Sequence, residues 1–249
     1  MIWLRSALFN VLFFAVYSSA MLLSVLIYPL PADRHIALIR ACVRAVLWLL
    51  RAIVGVEWEL RGDASSIAGA VIVASKHQST WDTMIFYLIA PRPSYVLKQE
   101  LLRIPLFGWA LRRHATIAID REGGGATMRH LLRGAGRAIA SGRQVIIFPE
   151  GTRVGPGETR EYHPGVAALY THLNCPVVPV ALNSGMFWGR RSFLKRPGRI
   201  VVEILPSIAP GLSRHDFAAE LERRIETATR RLEAAAGGGE TKFSPQAYG

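Results

Sequence analysis

A charge-free apolar run near the amino terminus constrains the fold of this chain more than any other feature. From Ser6 to Ala32 there is no charged residue, and Leu, Phe, Val, Ala and Ile make up most of the run. A membrane-spanning helix needs about 20 such residues, whereas the apolar region of a cleaved signal peptide has about 7 to 15. The run is therefore expected to be a membrane anchor and not a removable signal.

A second helix is expected directly after this run. Pro29 and Pro31 interrupt the first helix, and the Asp33 carboxylate can cap a second one that continues to about Val54. Arginines occupy one side of that helix and apolar residues another, which suits either an interfacial helix or a helix packed on a soluble domain. Of these two possibilities, we expect that the second helix contacts lipid. If the first helix spans the membrane, the arginines after it outnumber Arg5 before it and place the rest of the chain in the cytoplasm. A hairpin that dips into one leaflet would leave the chain on the same side.

Beyond residue 55, short apolar runs alternate with helical stretches, the pattern of an α/β sheet flanked by helices. The chain is expected to divide into an anchoring hairpin at 1–55, a globular domain at 56–236 and a disordered tail at 237–249. The clearest helices are 127–141, 165–173 and 215–236, with Ser213 and Asp216 capping the last. The predicted strands are 56–60, 71–75, 95–97, 116–119, 145–148, 177–182 and 200–204.

The charge balance indicates anionic partners. Lys and Arg number 30 against 18 Asp and Glu, for a formal charge of +12, which nucleic acid, an anionic leaflet or a phosphate-bearing substrate would all satisfy. A positive mean hydropathy of +0.24 favours lipid. The aromatic and cationic stretch 187–196 is accordingly expected to be a membrane-docking rim, although such a stretch can also bind nucleic acid. Cys42 and Cys175 are too few for a disulfide scaffold.

His77 and Asp82 are the first candidate pair for catalysis. His77 follows the predicted strand 71–75, and strand carboxyl ends border the ligand crevice of open α/β sheets. Residues at this spacing diverge on one continuous helix, so a helix must start between them, capped by Ser79 or Thr80. The imidazole could then take a proton from an alcohol while the carboxylate fixes its tautomer. The same spacing also fits a cap in which Asp82 only supports the helix amino terminus.

A second polar cluster follows the predicted strand 145–148. In Phe148-Pro-Glu-Gly-Thr-Arg153, the proline and glycine favour a tight turn that exposes backbone amides and presents a carboxylate and a guanidinium. Such a turn can bind an anion, or it can be purely structural. Lys98 and Arg121 also follow apolar runs, and each is either a phosphate ligand or a surface charge.

Four ordered blocks resemble the motifs of the glycerolipid acyltransferases, especially the bacterial 1-acylglycerol-3-phosphate acyltransferases. The resemblance spans about residues 70–185, and Lys98-x-Glu-Leu adds a fifth correspondence with Pro105 and Gly108. Several ordered blocks are more specific than any one of them. The four blocks are His77-Gln-Ser-Thr-Trp-Asp82, Ile119-Asp-Arg121, Phe148-Pro-Glu-Gly-Thr-Arg153 and Val178-Pro-Val-Ala-Leu-Asn183.

The resemblance implies a fold and an activity. The fold is a mixed sheet flanked by helices, with an N-terminal two-helix membrane anchor. The activity is transfer of a fatty acyl group from acyl-CoA or acyl carrier protein to the sn-2 hydroxyl of lysophosphatidate, which gives phosphatidate in phospholipid biosynthesis. The family needs no metal, no cofactor beyond the acyl donor, and no covalent acyl-enzyme.

The resemblance also assigns roles to individual residues. His77 would be the base and Asp82 its orienting partner, while Pro179 belongs to the block near the acyl-donor site. Glu150 is expected to orient Arg121, Arg153 or a glycerol hydroxyl. The residues expected to line the acceptor and phosphate site are Lys98, Arg121, Glu150, Gly151, Thr152 and Arg153.

Three departures from the family pattern leave the acceptor open. Lys76, Ala115 and Val154 stand where Asn, Gly and Ser are common, and relatives acylate lyso-ornithine lipids, other lysophospholipids or glycerol 3-phosphate. A non-catalytic lipid-binding protein is a further alternative. The expected partners are membrane phospholipids, a lysophospholipid acceptor and the acyl donor, without nucleic acid. The expected location is the bacterial inner membrane, with the catalytic domain on the cytoplasmic side.

Overall fold

The computed structural model describes residues 1–113, 116–120 and 124–237. Of the predicted disordered tail at 237–249, Gly237 is the last residue of a helix, and 238–249 lie outside these residues. The helices are α1 (Ile2–Leu26), α2 (Ala32–Leu49), α3 (Trp81–Ile89), α4 (Phe107–Arg113), α5 (Gly124–Ala140), α6 (Gly165–Leu173) and α7 (Arg214–Gly237). The strands are β1 (Val56–Arg61), β2 (Ile72–Ser75), β3 (Pro93–Lys98), β4 (Ile117–Ile119), β5 (Gln144–Ile147), β6 (Val177–Leu182) and β7 (Gly198–Ile204).

The strands form one mixed sheet in the order β1-β7-β6-β2-β5-β3-β4. All neighbours are parallel except β6 and β7. The carboxyl ends of β2, β3, β4, β5 and β6 therefore meet at one edge of the sheet. In such sheets this edge borders the ligand crevice, so the loops that leave it are the ones that can build a site.

Apolar side chains cover both faces of the sheet, as the alternation of strand residues requires. On β2, Val73 packs in one cluster with Trp81 of α3 and Leu50 at the end of α2. Its neighbour Ile72 points to the other face and packs in a cluster with Phe217 of α7. The sheet is therefore buried on both sides.

The predicted strands and helices are present with small shifts at their ends. The predicted strand 177–182 coincides with β6, and the predicted helix 165–173 coincides with α6. Strand β5 ends one residue earlier than predicted because Phe148 enters the turn that follows. Ser213 and Asp216 cap α7 as expected, since the Asp216 N–H donates to the Ser213 hydroxyl at 3.1 Å.

Helix α1 is long and apolar enough to cross a membrane, by length and composition. One side of it nevertheless packs along the domain. Phe9 is fully buried and meets Trp188 edge to face, with ring centroids 5.3 Å apart. Farther along the helix, the ring centroids of Tyr17 and Phe107 are 6.3 Å apart. Because α1 is attached over much of its length, it lies against the domain and does not project from it.

Helix α2 differs from the prediction in two ways. It begins one residue before Asp33, with Pro31 at the N-cap position, so Asp33 lies in the first turn and does not cap the helix. Its apolar side, which includes Val43 and Val46, is buried in the core. Arg40 donates to the Tyr87 carbonyl at 2.9 Å, near the end of α3. The expected lipid contact of this apolar side is therefore wrong, because α2 already buries it against the domain.

The stretch 187–196 is also only partly a surface rim. Trp188 and Lys195 are buried, and Lys195 Nζ lies 2.9 Å from the Asn10 side-chain oxygen of α1. Arg190 and Arg191 are exposed. The interleaved pattern therefore arises because aromatic residues attach this loop to α1 while arginines such as Arg190 and Arg191 remain in solvent.

Candidate active site

His77 and Asp82 lie where a strand gives way to a helix. Strand β2 ends at Ser75 and α3 begins at Trp81, so His77 is in the loop and Asp82 in the first helical turn. His77 Nδ1 is 3.0 Å from Asp82 Oδ2. The prediction that a helix begins between the two residues is confirmed, with Thr80 at the N-cap position.

The Asp82 carboxylate holds both the helix terminus and the imidazole. It is fully buried, and its Oδ2 also accepts the backbone N–H groups of Gln78 at 2.6 Å and Ser79 at 2.8 Å. Its Oδ1 accepts the Ser184 hydroxyl at 2.5 Å. The capping and the orienting interpretations are therefore compatible, because one fixed carboxylate does both.

His77 Nε2 is the basic atom that this arrangement leaves available. A carboxylate accepts hydrogen bonds, so Nδ1 carries the ring proton and Nε2 keeps its lone pair. The ring stacks on Phe148, with centroids 4.1 Å apart. Among the described residues, no group hydrogen-bonds to Nε2, and 13% of the side chain remains exposed. The imidazole is held on one side and accessible on the other.

The turn after β5 holds the backbone of His77 from both sides. Glu150 Oε2 accepts the His77 N–H at 2.8 Å, and the Val154 N–H donates to the His77 carbonyl at 2.8 Å. Gly151 has φ of 66°, in the left-handed region that glycine adopts without steric cost. The predicted tight turn is therefore present, and it fixes the position of the candidate base.

Glu150 does not line an open acceptor site, so the expectation that it would is wrong. Its side chain is wholly buried, and Oε1 lies 2.7 Å from the equally buried Lys76 ammonium. The turn directs the carboxylate back toward the end of β2 and away from solvent. Burial raises the pKa of Glu150 to about 7, although Lys76 and the His77 N–H act in the opposite direction.

Arg153 is the cation of this turn that reaches the dyad. Its Nη1 donates to the Thr80 hydroxyl at 2.8 Å, and Arg190 donates to the Arg153 carbonyl at 3.3 Å. Burial lowers the pKa of Arg153, Arg190 and Arg191 lower it further, and Asp82 opposes them. Within the described ranges, no carboxylate is in salt-bridge distance of these three guanidiniums. They form a positively charged group beside the dyad.

The remaining predicted site residues differ in their placement. Thr152 is partly exposed in the same turn, and Lys98 is exposed at the carboxyl end of β3, on the same sheet edge as His77. Pro179 is buried within β6, and its carbonyl accepts the Leu205 N–H at 3.0 Å. Its side chain therefore belongs to the sheet, and a role near the acyl donor stays a prediction. Arg121 lies outside the described residues.

Three residues of the site were missed or assigned elsewhere by sequence reasoning. Ser184 directly follows the block that ends at Asn183, at the carboxyl end of β6, and this placement is the signal that could have identified it. Lys76 stood out only as a departure from the family pattern. Arg190 was assigned to a lipid rim, because no local signal shows that its loop folds back to the turn at Arg153.

Comparisons with known proteins find several similar chains. A family model described as Acyltransferase matches residues 58–183. A 1-acyl-sn-glycerol-3-phosphate acyltransferase of Pseudomonas aeruginosa is 37% identical over 183 residues, which cover 74% of this chain and 71% of that protein. A lyso-ornithine lipid O-acyltransferase of the same organism is 26% identical over 199 residues, covering 73% and 76%.

A solved structure shows the same fold. The crystal structure of the 1-acyl-sn-glycerophosphate acyltransferase of Thermotoga maritima superposes with a TM-score of 0.75 at 18% identity, covering 94% of this chain and 98% of that one. The expected mixed sheet with flanking helices is confirmed.

Glu150 predicts a specific dependence of stability on pH. Its folded pKa is about 7, above the value of about 4.3 for an unfolded glutamate. The stability contributed by the protonated group is therefore complete below about pH 4 and is lost as the pH rises through about 7. Between these limits the wild type should lose about 4 kcal/mol of unfolding free energy relative to Glu150→Gln, measured by denaturant titration. If the unfolding free energies of the two proteins change in parallel with pH, the raised pKa of the buried Glu150 carboxyl is contradicted.

Proposed function

The chain belongs to the acyltransferase family, and from that premise we propose that it transfers a fatty acyl group from acyl-CoA or acyl carrier protein to the sn-2 hydroxyl of lysophosphatidate, giving phosphatidate. The observation that carries this proposal is the pairing of His77 with the buried Asp82 at the carboxyl edge of the sheet, with Nε2 accessible. A non-catalytic lipid-binding protein would need no such oriented base.

The dyad supports direct transfer between the two substrates. His77 Nε2 takes the proton of the acceptor hydroxyl as its oxygen attacks the thioester carbonyl of the donor. Asp82 stabilises the imidazolium that forms. When the tetrahedral intermediate collapses, the carbon–sulfur bond breaks and the imidazolium returns its proton to the departing thiolate. Each proton and electron pair is accounted for by the two substrates and the imidazole.

The acceptor phosphate is assigned to the cationic group at Arg153. Arg153 bonds Thr80 at the start of α3, so an anion held by this guanidinium lies beside the dyad. Arg190 and Arg191 add charge at the same place, and guanidinium groups suit phosphate oxygens. Lys98 and Arg121 complete the proposed phosphate ligands, on the strength of the family resemblance.

Lyso-ornithine lipid is the second candidate acceptor, favoured by the similarity to the Pseudomonas aeruginosa enzyme of that name. Its head group carries an amine as well as a carboxylate, so a cluster of unpaired arginines suits it less well than a phosphate monoester. The higher identity to the 1-acyl-sn-glycerol-3-phosphate acyltransferase also favours lysophosphatidate.

We further propose that α1 attaches the enzyme to one leaflet of the bacterial inner membrane, with the catalytic domain in the cytoplasm. The side of α1 that faces away from the domain exposes Leu4, Leu8, Val11 and Phe14. Arg190 and Arg191 lie in the loop that packs on α1. We assign lipid contact to α1, and α2 supports α1 from within the domain.

The function is tested by assaying purified protein with lysophosphatidate, lyso-ornithine lipid and both donor classes. Wild type should form phosphatidate. His77→Ala should lower kcat by about a hundredfold to ten-thousandfold, because general-base catalysis is lost, and Asp82→Asn should also inactivate by favouring the wrong tautomer. Absence of acylation of any acceptor, or full activity of folded His77→Ala protein, would refute the proposal.

Arg190→Gln tests the phosphate assignment. Loss of one hydrogen bond to a charged group should raise KM for lysophosphatidate about tenfold with little change in kcat. Arg196→Gln is the matched control, because Arg196 is an exposed arginine of the same loop. Equal effects of the two substitutions would show that the loop contributes only general positive charge.

The membrane proposal predicts that substituting Leu4, Leu8 and Val11 by Gln shifts the protein from the pelleted to the supernatant fraction in vesicle sedimentation. Replacing apolar with polar side chains removes the favourable transfer to lipid. Leu212→Gln, at an exposed leucine before α7, should leave sedimentation unchanged. Membrane binding that survives the triple substitution would overturn the role of α1.

A further inference from the structure

Lys76 is a buried cation shared by two buried carboxylates. Its side chain is wholly buried, and Nζ lies 2.7 Å from Glu150 Oε1 and 2.8 Å from Glu226 Oε1. Burial lowers the pKa of Lys76, but the two glutamates outweigh that effect and hold it above its usual value. The ammonium therefore stays charged and links the turn after β5 to helix α7.

Helix α7 reaches the catalytic loop at two points. The Tyr162 hydroxyl donates to Glu226 at 2.9 Å and fixes the carboxylate that faces Lys76. Two turns farther along α7, Glu233 accepts the Gln78 side-chain amide at 2.5 Å. Gln78 follows His77 in the chain. One face of the C-terminal helix is therefore bonded to the residues on both sides of the candidate base.

We propose that Lys76 and Glu226 are positioning residues, which fix the Glu150 carboxylate and through it the backbone of His77, so that helix α7 is part of the catalytic apparatus. This inference rests on the proposed acyltransferase function. The chain of contacts is continuous, because Glu226 holds Lys76, Lys76 holds Glu150 Oε1, and Glu150 Oε2 accepts the His77 N–H.

Stability alone is a poor explanation for this network. Two carboxylates and one ammonium are removed from water together, and replacing such buried ionic groups with apolar ones is often neutral or stabilising. A charged acceptor, however, makes a shorter and stronger hydrogen bond to a backbone N–H than a neutral one. Lys76 thus favours the ionised Glu150 that His77 needs, against the opposing effect of burial.

Ionisation of Glu150 is set first by burial, which raises its pKa, and then by the groups that face it. Lys76 from the end of β2 favours the carboxylate, whereas Glu226 from α7 disfavours it. The His77 N–H also favours the charged form, and Tyr162, whose own pKa is raised first by burial and then by Glu226 and Glu150, completes the surroundings. Removing Lys76 or Glu226 must therefore move the pKa of Glu150 in opposite directions.

The test is the pH profile of kcat for Lys76→Asn and Glu226→Gln in the full-length protein with lysophosphatidate. Lys76→Asn should move the acid limb to higher pH and lower kcat at neutral pH about tenfold, because misplacing a catalytic group by a small distance is costly. Glu226→Gln, nearly isosteric, should move the limb to lower pH. KM should change little in either variant. The double variant that combines Lys76→Asn with Glu226→Gln should recover part of the kcat that Lys76→Asn alone loses.

Two controls separate positioning from other effects. In a Glu150→Gln background, both shifts of the acid limb should disappear. If Lys76 and Glu226 instead acted on His77 directly through their charge, the shifts would remain. Glu220→Gln, which breaks only surface bonds to Arg223 and Arg224 on α7, should leave kcat and the profile unchanged. If the wild type is active but the pH profile of kcat is unchanged in the Lys76 and Glu226 variants, this inference is overturned while the acyltransferase proposal stands. The same holds if the shifts in the profile persist without Glu150. Inactive wild type would instead refute the proposed function.

Discussion

The two hydrogen bonds that hold the backbone of His77 are the constraint on which the site depends. Its N–H is bound by Glu150 and its carbonyl by Val154, both from the turn after the neighbouring strand β5. Because β2 and β5 are parallel and adjacent, their carboxyl ends place loop and turn side by side. The imidazole then needs only Asp82 to fix its ring, and the remaining nitrogen faces outward.

The charges of the site are divided between the interior and the rim. Asp82 and Glu150 are fully buried and accept several hydrogen bonds or an ion pair, whereas Arg190 and Arg191 remain in solvent. The loop that carries these arginines also packs on α1 through Trp188. One segment therefore connects the apolar helix proposed to contact lipid with the cations proposed to hold the acceptor, which suits a substrate that enters from a membrane surface.

Much of the fold and the core of the site could be predicted from the sequence. Strands such as β6 are short, apolar and buried on both faces, so local composition identifies them, and the start of α3 follows from the need to bring His77 and Asp82 together. The direction of the Glu150 side chain could not be predicted, because it depends on Lys76 and on Glu226 from the far end of the chain. Likewise, the burial of Val43 on α2 depends on tertiary packing, which an amphipathic pattern does not distinguish from lipid contact.

The protonation pattern of the His77 ring is the most direct test of the proposed catalytic role of this residue. Nitrogen NMR of the protein with labelled histidine, with His77 assigned by its loss in a His77→Gln variant, reports which ring nitrogen carries the proton in the neutral imidazole. The geometry predicts a protonated Nδ1 bonded to Asp82 and an unprotonated Nε2. A neutral ring protonated at Nε2 would contradict the assignment of His77 as the base.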